Sequence, residues 1–262
     1  MKNCKICGKQ STKLFDCIVL KKYSVGYYKC SFCGFIETEM PYWLDEAYSS
    51  AITSLDIGLT YRNMLTAPIL EVLIKSFYSA TGKFVDYGGG YGMLVRMMRD
   101  KGFDFYRQDI YCENVFSKNF DVDDCGGDKS DFELITAFEV FEHLVDPVKE
   151  LELMLQYGSD VFFSTTLYPV GTDLLNWWYL IPETGQHVSL YSKAALEILG
   201  AKFGLNYRGY ANTYHLFTKK DISQSSFERI FKPLYQKLLN KLRPSPASLL
   251  GSDFNKISGI KM

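Results

Sequence analysis

Val85-Asp86-Tyr87-Gly88-Gly89-Gly90-Tyr91-Gly92 decides how the rest of this chain is read. Phe84 to Tyr87 is a short apolar run of the kind that forms a buried strand. Tyr91 to Lys101 carries helical spacing, with Gly102 where a helix-terminating glycine belongs. Glycines between a strand and a helix let the backbone pass close to a ligand lying over the carboxyl ends of the strands. Spacing narrows the ligand. A dinucleotide fingerprint starting at Gly88 would need glycine at position 93, which is Met93. A phosphate-binding loop needs Gly-Lys followed by Ser or Thr, and the chain has none there. The pattern present is D-x-G-x-G-x-G, led by Asp86.

Outward from this loop, strand and helix patterns alternate. Helical spacing covers 61–80, then strands are expected at 84–87, 103–110, 133–138 and 161–164, with helices at 91–101, 147–157 and 192–203. An antiparallel pair, 205–210 and 214–218, closes the series around Asn212. Such alternation predicts an α/β fold, a mostly parallel sheet with helices on both faces. A last helix, 226–242, is expected to bend at Pro233, before a loose tail. The domains expected are 1–36, a linker or lid at 37–60 with one short helix, the main domain at 61–220, and a helix and tail at 221–262.

Composition agrees with a globular chain: 262 residues, 47% hydrophobic and 23% charged. No apolar run reaches the length of a membrane span, and MKNCKICGKQ has no apolar segment after it, so a cytoplasmic location is expected. Residues 1–35 carry a charge of +6 and 219–262 carry +6, which leaves −13 for 36–218 in a chain whose total is −1. An acidic centre argues against a nucleic-acid partner.

Four of the seven cysteines pair as Cys4-x-x-Cys7-Gly8 and Cys30-x-x-Cys33-Gly34. Two such turns supply the four soft ligands of a tetrahedral zinc ion. Disulfides would need export and would strand Cys17, Cys112 and Cys125, and a redox pair would not need the motif twice. Residues 14–29, with Gly26 as a break, read as a short hairpin, so 1–36 is expected to be a zinc ribbon stabilised by structural Zn2+ through Cys4, Cys7, Cys30 and Cys33.

The glycine motif with its leading Asp86 resembles the first motif of class I S-adenosylmethionine-dependent methyltransferases. Two further segments carry the same likeness: Asp109 at the end of the second strand, and the run Phe138-Glu139-Val140-Phe141-Glu142-His143 ahead of Asp146-Pro147. The resemblance spans about 62–219 and implies a Rossmann-like, seven-stranded sheet with S-adenosylmethionine as cofactor. It implies that Asp86, Gly88, Gly90 and Gly92 hold the methionine end, that Asp109 accepts from the ribose hydroxyls, and that Ile110 lies against the adenine. Phe138 and Glu139 would complete the cofactor site at the end of the fourth strand.

The family's N-P-P-Y segment for amino-group methylation is replaced here by Phe138-Glu139-Val140-Phe141, which argues against nucleic-acid bases as acceptors. His143 after Glu142, and His187 in Gln186-His187-Val188-Ser189-Leu190-Tyr191-Ser192, are candidate proton acceptors, His187 first because an ordinary imidazole titrates near neutrality. Trp177, Trp178 and Tyr179 are candidates to stack on a sugar ring, one tryptophan being core. A cysteine ribbon on this fold is similar to sugar methyltransferases, which implies methyl transfer to a hydroxyl or carbon of a sugar, nucleotide sugar or glycan precursor. The competing readings are an RNA methyltransferase gripping phosphates with the basic ribbon, a non-catalytic S-adenosylmethionine-binding module, and a quinone or lipid acceptor. The apolar side of the C-terminal helix offers a homodimer or peripheral contact.

Overall fold

A computed structural model describes residues 2–49 and 53–261. Their elements run β1 (Lys2–Asn3), β2 (Gln10–Val19), β3 (Tyr23–Cys30), β4 (Ile36–Thr38), α1 (Leu44–Ala47), α2 (Leu59–Phe77), β5 (Lys83–Tyr87), α3 (Met93–Asp100), β6 (Asp104–Gln108), β7 (Phe132–Phe138), α4 (Pro147–Met154), β8 (Val161–Ser164), β9 (Ser189–Leu190), α5 (Lys193–Lys202), β10 (Asn206–Tyr210), β11 (Tyr214–Thr218), α6 (Gln224–Arg229), α7 (Pro233–Leu242) and α8 (Leu250–Ser258). Contacts group them into two compact units that interleave along the sequence. The short helix expected in 37–60 is α1, and residues 50–52 of that segment lie outside the described residues.

One unit comprises Asp56–Ala137, Met154–Val161 and Asp221–Met262. Its centre is a parallel sheet in the order β7-β5-β6, with Val85 opposite Tyr106 on one side and Ile135 on the other. β5 is buried after its first residue because helices cover it, which is why its sequence is continuously apolar apart from Asp86. α2 packs inward through Leu70, Val72, Leu73 and Ile74, and α3 through Leu94, Val95 and Met98.

The C-terminal segment departs from expectation. Pro233 opens α7 as its first residue instead of bending one helix, since proline has no N–H to donate and its ring crowds the preceding turn. The tail is not loose: α8 forms there, and Asp253 on it is held by Arg99 of α3. The approach is close enough that a Cβ on Gly102 would lie 2.6 Å from the carbonyl oxygens of Pro246 and Ala247. Phe227 and Ile230 are buried, whereas Leu234, Leu238 and Leu242 form an exposed stripe on α7.

The other unit comprises Met1–Leu55, Phe138–Leu153 and Phe162–Lys220. It contains a five-stranded antiparallel sheet in the order β1-β2-β3-β4-β9. The expected hairpin is β2–β3, which turns through Leu20 and Lys21 at φ 53° and 56°. Gly26 is no break; it lies within β3 opposite Asp16. β4 pairs with β9 through Ile36↔Leu190 and Glu37↔Ser189, so the ribbon sheet takes up a strand from far along the chain. One face of it, Val19, Val25, Tyr27 and Ile36, packs with Trp43, Tyr168, Trp177, Leu180 and Leu190. The same unit holds β8 and the antiparallel hairpin β10–β11, which turns through Ala211 and Asn212 as expected.

The main sheet has six strands among the described residues, not seven: β7-β5-β6 in one unit and β10-β11-β8 in the other. It is mixed, because the β10–β11 pair is antiparallel. Beyond β6 the missing edge strand is reduced to a single parallel bridge, Arg107↔Asp121. The residues that follow, Val122-Asp123-Asp124-Cys125-Gly126-Gly127-Asp128, form a 3-10 turn and glycines at positive φ, a composition poorly suited to a strand. No helix among the described residues is long and apolar enough to cross a membrane.

Candidate active site

The glycine loop leaves β5 with Gly88, Gly90 and Gly92 at φ 67°, 53° and 82°, a region glycine occupies at no steric cost. Gly88 and Gly89 donate their N–H groups to the Gln108 carbonyl at 2.8 and 3.2 Å, tying the loop to the end of β6. A Cβ on Gly92 would lie 2.2 Å from Ser117 Oγ and 2.9 Å from Asn114 Oδ1, so the segment after β6 leaves room for glycine alone. Arg107 was not singled out in the sequence, yet it clamps the loop: Nη1 donates to the Gly90 and Cys112 carbonyls at 2.7 and 2.8 Å, and Nε to Asp121 at 2.7 Å. An arginine directly after the aromatic pair Phe105-Tyr106 in β6 was the available signal.

Asp109 follows β6 as expected. Its Oδ2 accepts from Gly90 N–H at 2.9 Å, and Oδ1 from the N–H groups of Tyr111 and Cys112 at 2.7 Å each. A carboxylate has about four acceptor sites, so engaging two ribose hydroxyls requires it to trade one backbone partner. Ile110 and Tyr111 beside it are exposed. Asp86 is placed differently from the expectation of a carboxylate facing a cationic ligand. It is buried, its Oδ1 accepts from Thr136 Oγ1 at 2.6 Å, and burial pushes its carboxyl up to about 7. Its other oxygen, Oδ2, lies close to the loop: a Cβ on Gly89 would be 2.9 Å from it.

The unit that carries β8 brings together the remaining candidates. Phe138 meets Phe162 edge-on at 5.4 Å. Glu139 sits at φ 54°, costly for a side-chain-bearing residue. Ser164 holds it there: Glu139 N–H donates to Ser164 Oγ at 3.0 Å, and that hydroxyl donates to Glu139 Oε1 at 2.5 Å. A 3-10 turn, Phe141–His143, follows, and the segment around β9 fixes it. Val188 N–H donates to the Glu142 carbonyl at 2.9 Å, Ser189 Oγ to that of Leu144 at 2.6 Å, and Tyr191 Oη to that of Phe141 at 2.9 Å.

Glu142 and His187 are buried, and His143 is partly exposed. The two imidazoles cross at 83° with centroids 5.0 Å apart. His143 Nδ1 meets the Gln186 carbonyl at 3.1 Å and His187 Nδ1 the Tyr179 carbonyl at 2.6 Å. A carbonyl can only accept, so both rings carry a proton on Nδ1 and direct the other nitrogen away from these partners. His187 does not have the ordinary imidazole basicity expected of it. Burial, reinforced by the neighbouring His143 charge, lowers its pKa to about 3, so it is a weak proton acceptor at neutral pH. Of the nearby aromatics, Trp177 and Tyr179 are core and Trp178 is exposed. Burial, with the Glu142 and Glu139 charges, holds the Tyr179 phenol well above its usual range, so it stays a donor.

His215 is structural, bonded to Tyr207 Oη and the Thr165 carbonyl at 2.9 Å each, and burial lowers its pKa to about 4. Both lowered imidazoles are neutral in the fold, whereas the unfolded chain binds protons below its ordinary histidine pKa near 6.5. Their stabilisation is therefore complete above that pH and is lost as pH falls toward 4. Each contributes at most about 1.4 kcal/mol per pH unit. Asp86 works in the opposite sense, because its raised carboxyl takes up a proton in the fold as pH falls from 7 to 5. Denaturant unfolding at pH 7 and pH 5 should therefore show a net loss of about 1–2 kcal/mol at the lower pH; a gain in stability at pH 5 would contradict the burial of these rings.

The four ribbon cysteines converge: their sulfurs all lie within 4.8 Å of one another, with Cys4–Cys33 at 3.6 Å and Cys7–Cys30 at 3.4 Å. A tetrahedron of sulfurs about 2.3 Å from zinc has edges near 3.8 Å, so this donor set matches such an ion in kind and in size. Each pair forms a tight turn, Gly8 N–H bonding the Cys4 carbonyl and Gly34 N–H that of Cys30, with both glycines at positive φ. Cys17, Cys112 and Cys125 are not among the ligand clusters of the described residues.

A parallel βαβ unit with this left-handed glycine loop, closed by a carboxylate after the next strand, defines the cofactor half of an S-adenosylmethionine-dependent methyltransferase. The chain belongs to the methyltransferase-domain family, whose model matches residues 62–208. No curated protein matches the sequence. Among solved structures, the chain is similar to CalO1, a methyltransferase of calicheamicin biosynthesis solved with S-adenosylhomocysteine bound, at 16% identity and a TM-score of 0.42 over 68% of this chain and 61% of that one. It is similar to human N-acetylserotonin methyltransferase with S-adenosylmethionine, at 14% identity and a TM-score of 0.42 over 60% and 51%. It is also similar to the plantazolicin methyltransferase BpumL with S-adenosylhomocysteine, at 14% identity and a TM-score of 0.47 over 77% and 90%. The match thus spans about three fifths of the length of the first of these and half of the second.

Proposed function

We propose that the chain moves the methyl group of S-adenosylmethionine to a hydroxyl or carbon of a small carbohydrate-like acceptor. The observation that supports the methyl-donor half of this reading is the glycine loop, whose three left-handed glycines, tied to Asp109 through Gly90 N–H, carry no side chains that would bar a ligand. S-adenosylmethionine supplies a carbon already activated by its sulfonium, so the protein has to align the partners and accept a proton. Gly88, Gly90 and Gly92 would take the methionine end, with Asp86 beside them; Asp109 the ribose; Ile110 the adenine face; Phe138 and Glu139 the end of β7. Glu142, His143 and His187 would handle the acceptor. His143 is the better proton acceptor of the two histidines, being partly exposed where His187 is buried. The exposed Trp178 suits the face of a sugar ring. Cys4, Cys7, Cys30 and Cys33 would hold structural zinc, and the α7 leucine stripe would serve a homodimer or peripheral contact.

Asp109→Ala removes the ribose acceptor and three backbone bonds together. It is expected to weaken S-adenosylmethionine binding by about 1–3 kcal/mol, the scale of charged hydrogen bonds, as read by calorimetry. Unchanged affinity would remove Asp109 from the cofactor site. Methyl-labelled cofactor offered with nucleotide sugars and glycans tests the acceptor class: label should appear in a sugar, and label only in RNA would overturn this reading.

A further inference from the structure

We propose that Glu142, His143 and His187 together bind one divalent first-row transition-metal ion. One ligand atom from each lies within 4.8 Å of the others, and His143 Nε2 is 4.0 Å from Glu142 Oε1. Ligands about 2.1 Å from a common ion stand some 3 Å apart when adjacent, so modest side-chain rotations close the set. The imidazoles are already prepared. Each commits Nδ1–H to a backbone carbonyl, the arrangement that fixes the tautomer and orientation of metal-bound histidines and places the lone pair on Nε2. Their planes cross at 83°, so the two rings do not stack face to face. The backbone under the site is held too, because three carbonyls between Phe141 and Leu144 accept donors from Val188, Ser189 and Tyr191.

Two imidazoles and one carboxylate suit manganese through zinc, and not calcium or magnesium, which take oxygen ligands. Three protein ligands leave positions open, and the exposed side of His143 gives access. This contrasts with the cysteine cluster, whose four thiolates close a tetrahedron. The role of the ion rests on the acceptor reading above. With its Nε2 lone pair on the ion, His143 passes the task of proton removal to the metal: an acceptor hydroxyl coordinated there loses its proton to solvent more readily. Its oxygen then bonds the methyl carbon as the carbon–sulfur bond breaks and the electron pair returns to sulfur, giving a methyl ether, a thioether and one proton.

The test is Mn2+ titration of the full chain, followed by the electron paramagnetic resonance of free Mn2+. Manganese binds such sites more weakly than zinc and disfavours thiolates, so ions at the cysteine cluster stay in place. One Mn2+ per chain is expected in the wild type, with at least tenfold weaker uptake in Glu142→Gln and in His143→Ala. Because Glu142 is buried, His143→Ala decides the matter, and its melting temperature without Mn2+ should match the wild type. No stoichiometric uptake by the wild type, or equal uptake by His143→Ala, overturns the site. S-adenosylmethionine binding is measured on the same samples. Cofactor binding without Mn2+ uptake overturns the ion site and leaves the transfer reading intact; Mn2+ uptake without cofactor binding supports the site and overturns the transfer reading.

Discussion

Removal of metal from the Cys4–Cys7–Cys30–Cys33 cluster is expected to unfold the antiparallel sheet of the ribbon and to lower the melting temperature of the whole chain. β1 has two residues and β4 three, too little to persist without a crosslink at the knuckles. The sulfurs are already within 4.8 Å of one another, so without a cation any thiolates there would repel. Structural zinc in small domains contributes about 10–16 kcal/mol to the metal-bound fold, comparable with the entire stability of a domain. The damage should not stay local. The inner face of β2 and β3 packs with Trp43, Tyr168, Trp177 and Leu190, and β4 is hydrogen-bonded to β9, the segment that also fixes Phe141–His143. Elemental analysis should find at least one zinc per chain, and a chelator or Cys30→Ser should abolish the cooperative melt of this unit. Purified protein without zinc, or a melt indifferent to chelation, would remove the metal from the account.

Arg99→Ala should be the most destabilising single substitution away from the cysteines. The Arg99 guanidinium donates Nε and Nη2 to Asp253 at 2.8 and 2.7 Å, and Nη1 to Asp104 at 2.5 Å and the Phe105 carbonyl at 3.0 Å. It also lies 3.8 Å from the centroid of the Phe120 ring. Arg99 and Asp253 are both buried, so losing one leaves the other's charge in a poor solvent, with Asp253 keeping, among the described residues, Arg96 at 2.9 Å. The expected cost is about 3–5 kcal/mol, the range for breaking a buried pair. In a chain of this size that lowers the melting temperature by roughly 10 °C. Arg99→Met combined with Asp253→Leu should recover much of the loss, because it removes both charges. A loss below about 1 kcal/mol for Arg99→Ala would mean that α8 does not anchor on α3.

These two sites mark the boundary of what the sequence made legible. The glycine loop, the strands around it and the cysteine knuckles are local: each depends on spacing within a dozen residues, and each lies where it was expected. Pro244 and Pro246 make the tail look loose in sequence, whereas the ordering of α8 comes from Arg99, more than a hundred residues earlier. The β4–β9 ladder is equally remote, two residue pairs joining positions near 36 and 190. The seventh strand was expected from a family pattern, and the Asp- and Gly-rich segment after Asp121 reduces it to one bridge. At the site, residue types were readable but environments were not. Burial gives His187 a pKa about 3 and sets Asp86 against Thr136, and no periodicity reports that.

The Gly88–Gly92 loop and Asp109 are expected to hold S-adenosylmethionine. Calorimetric titration of the intact chain with S-adenosylmethionine and S-adenosylhomocysteine tests it most directly. One site per chain for each, with no heat from a dinucleotide or nucleoside triphosphate, is the predicted result. No binding of either sulfur ligand, or preferential binding of a pyrophosphate-bearing coenzyme, would contradict it.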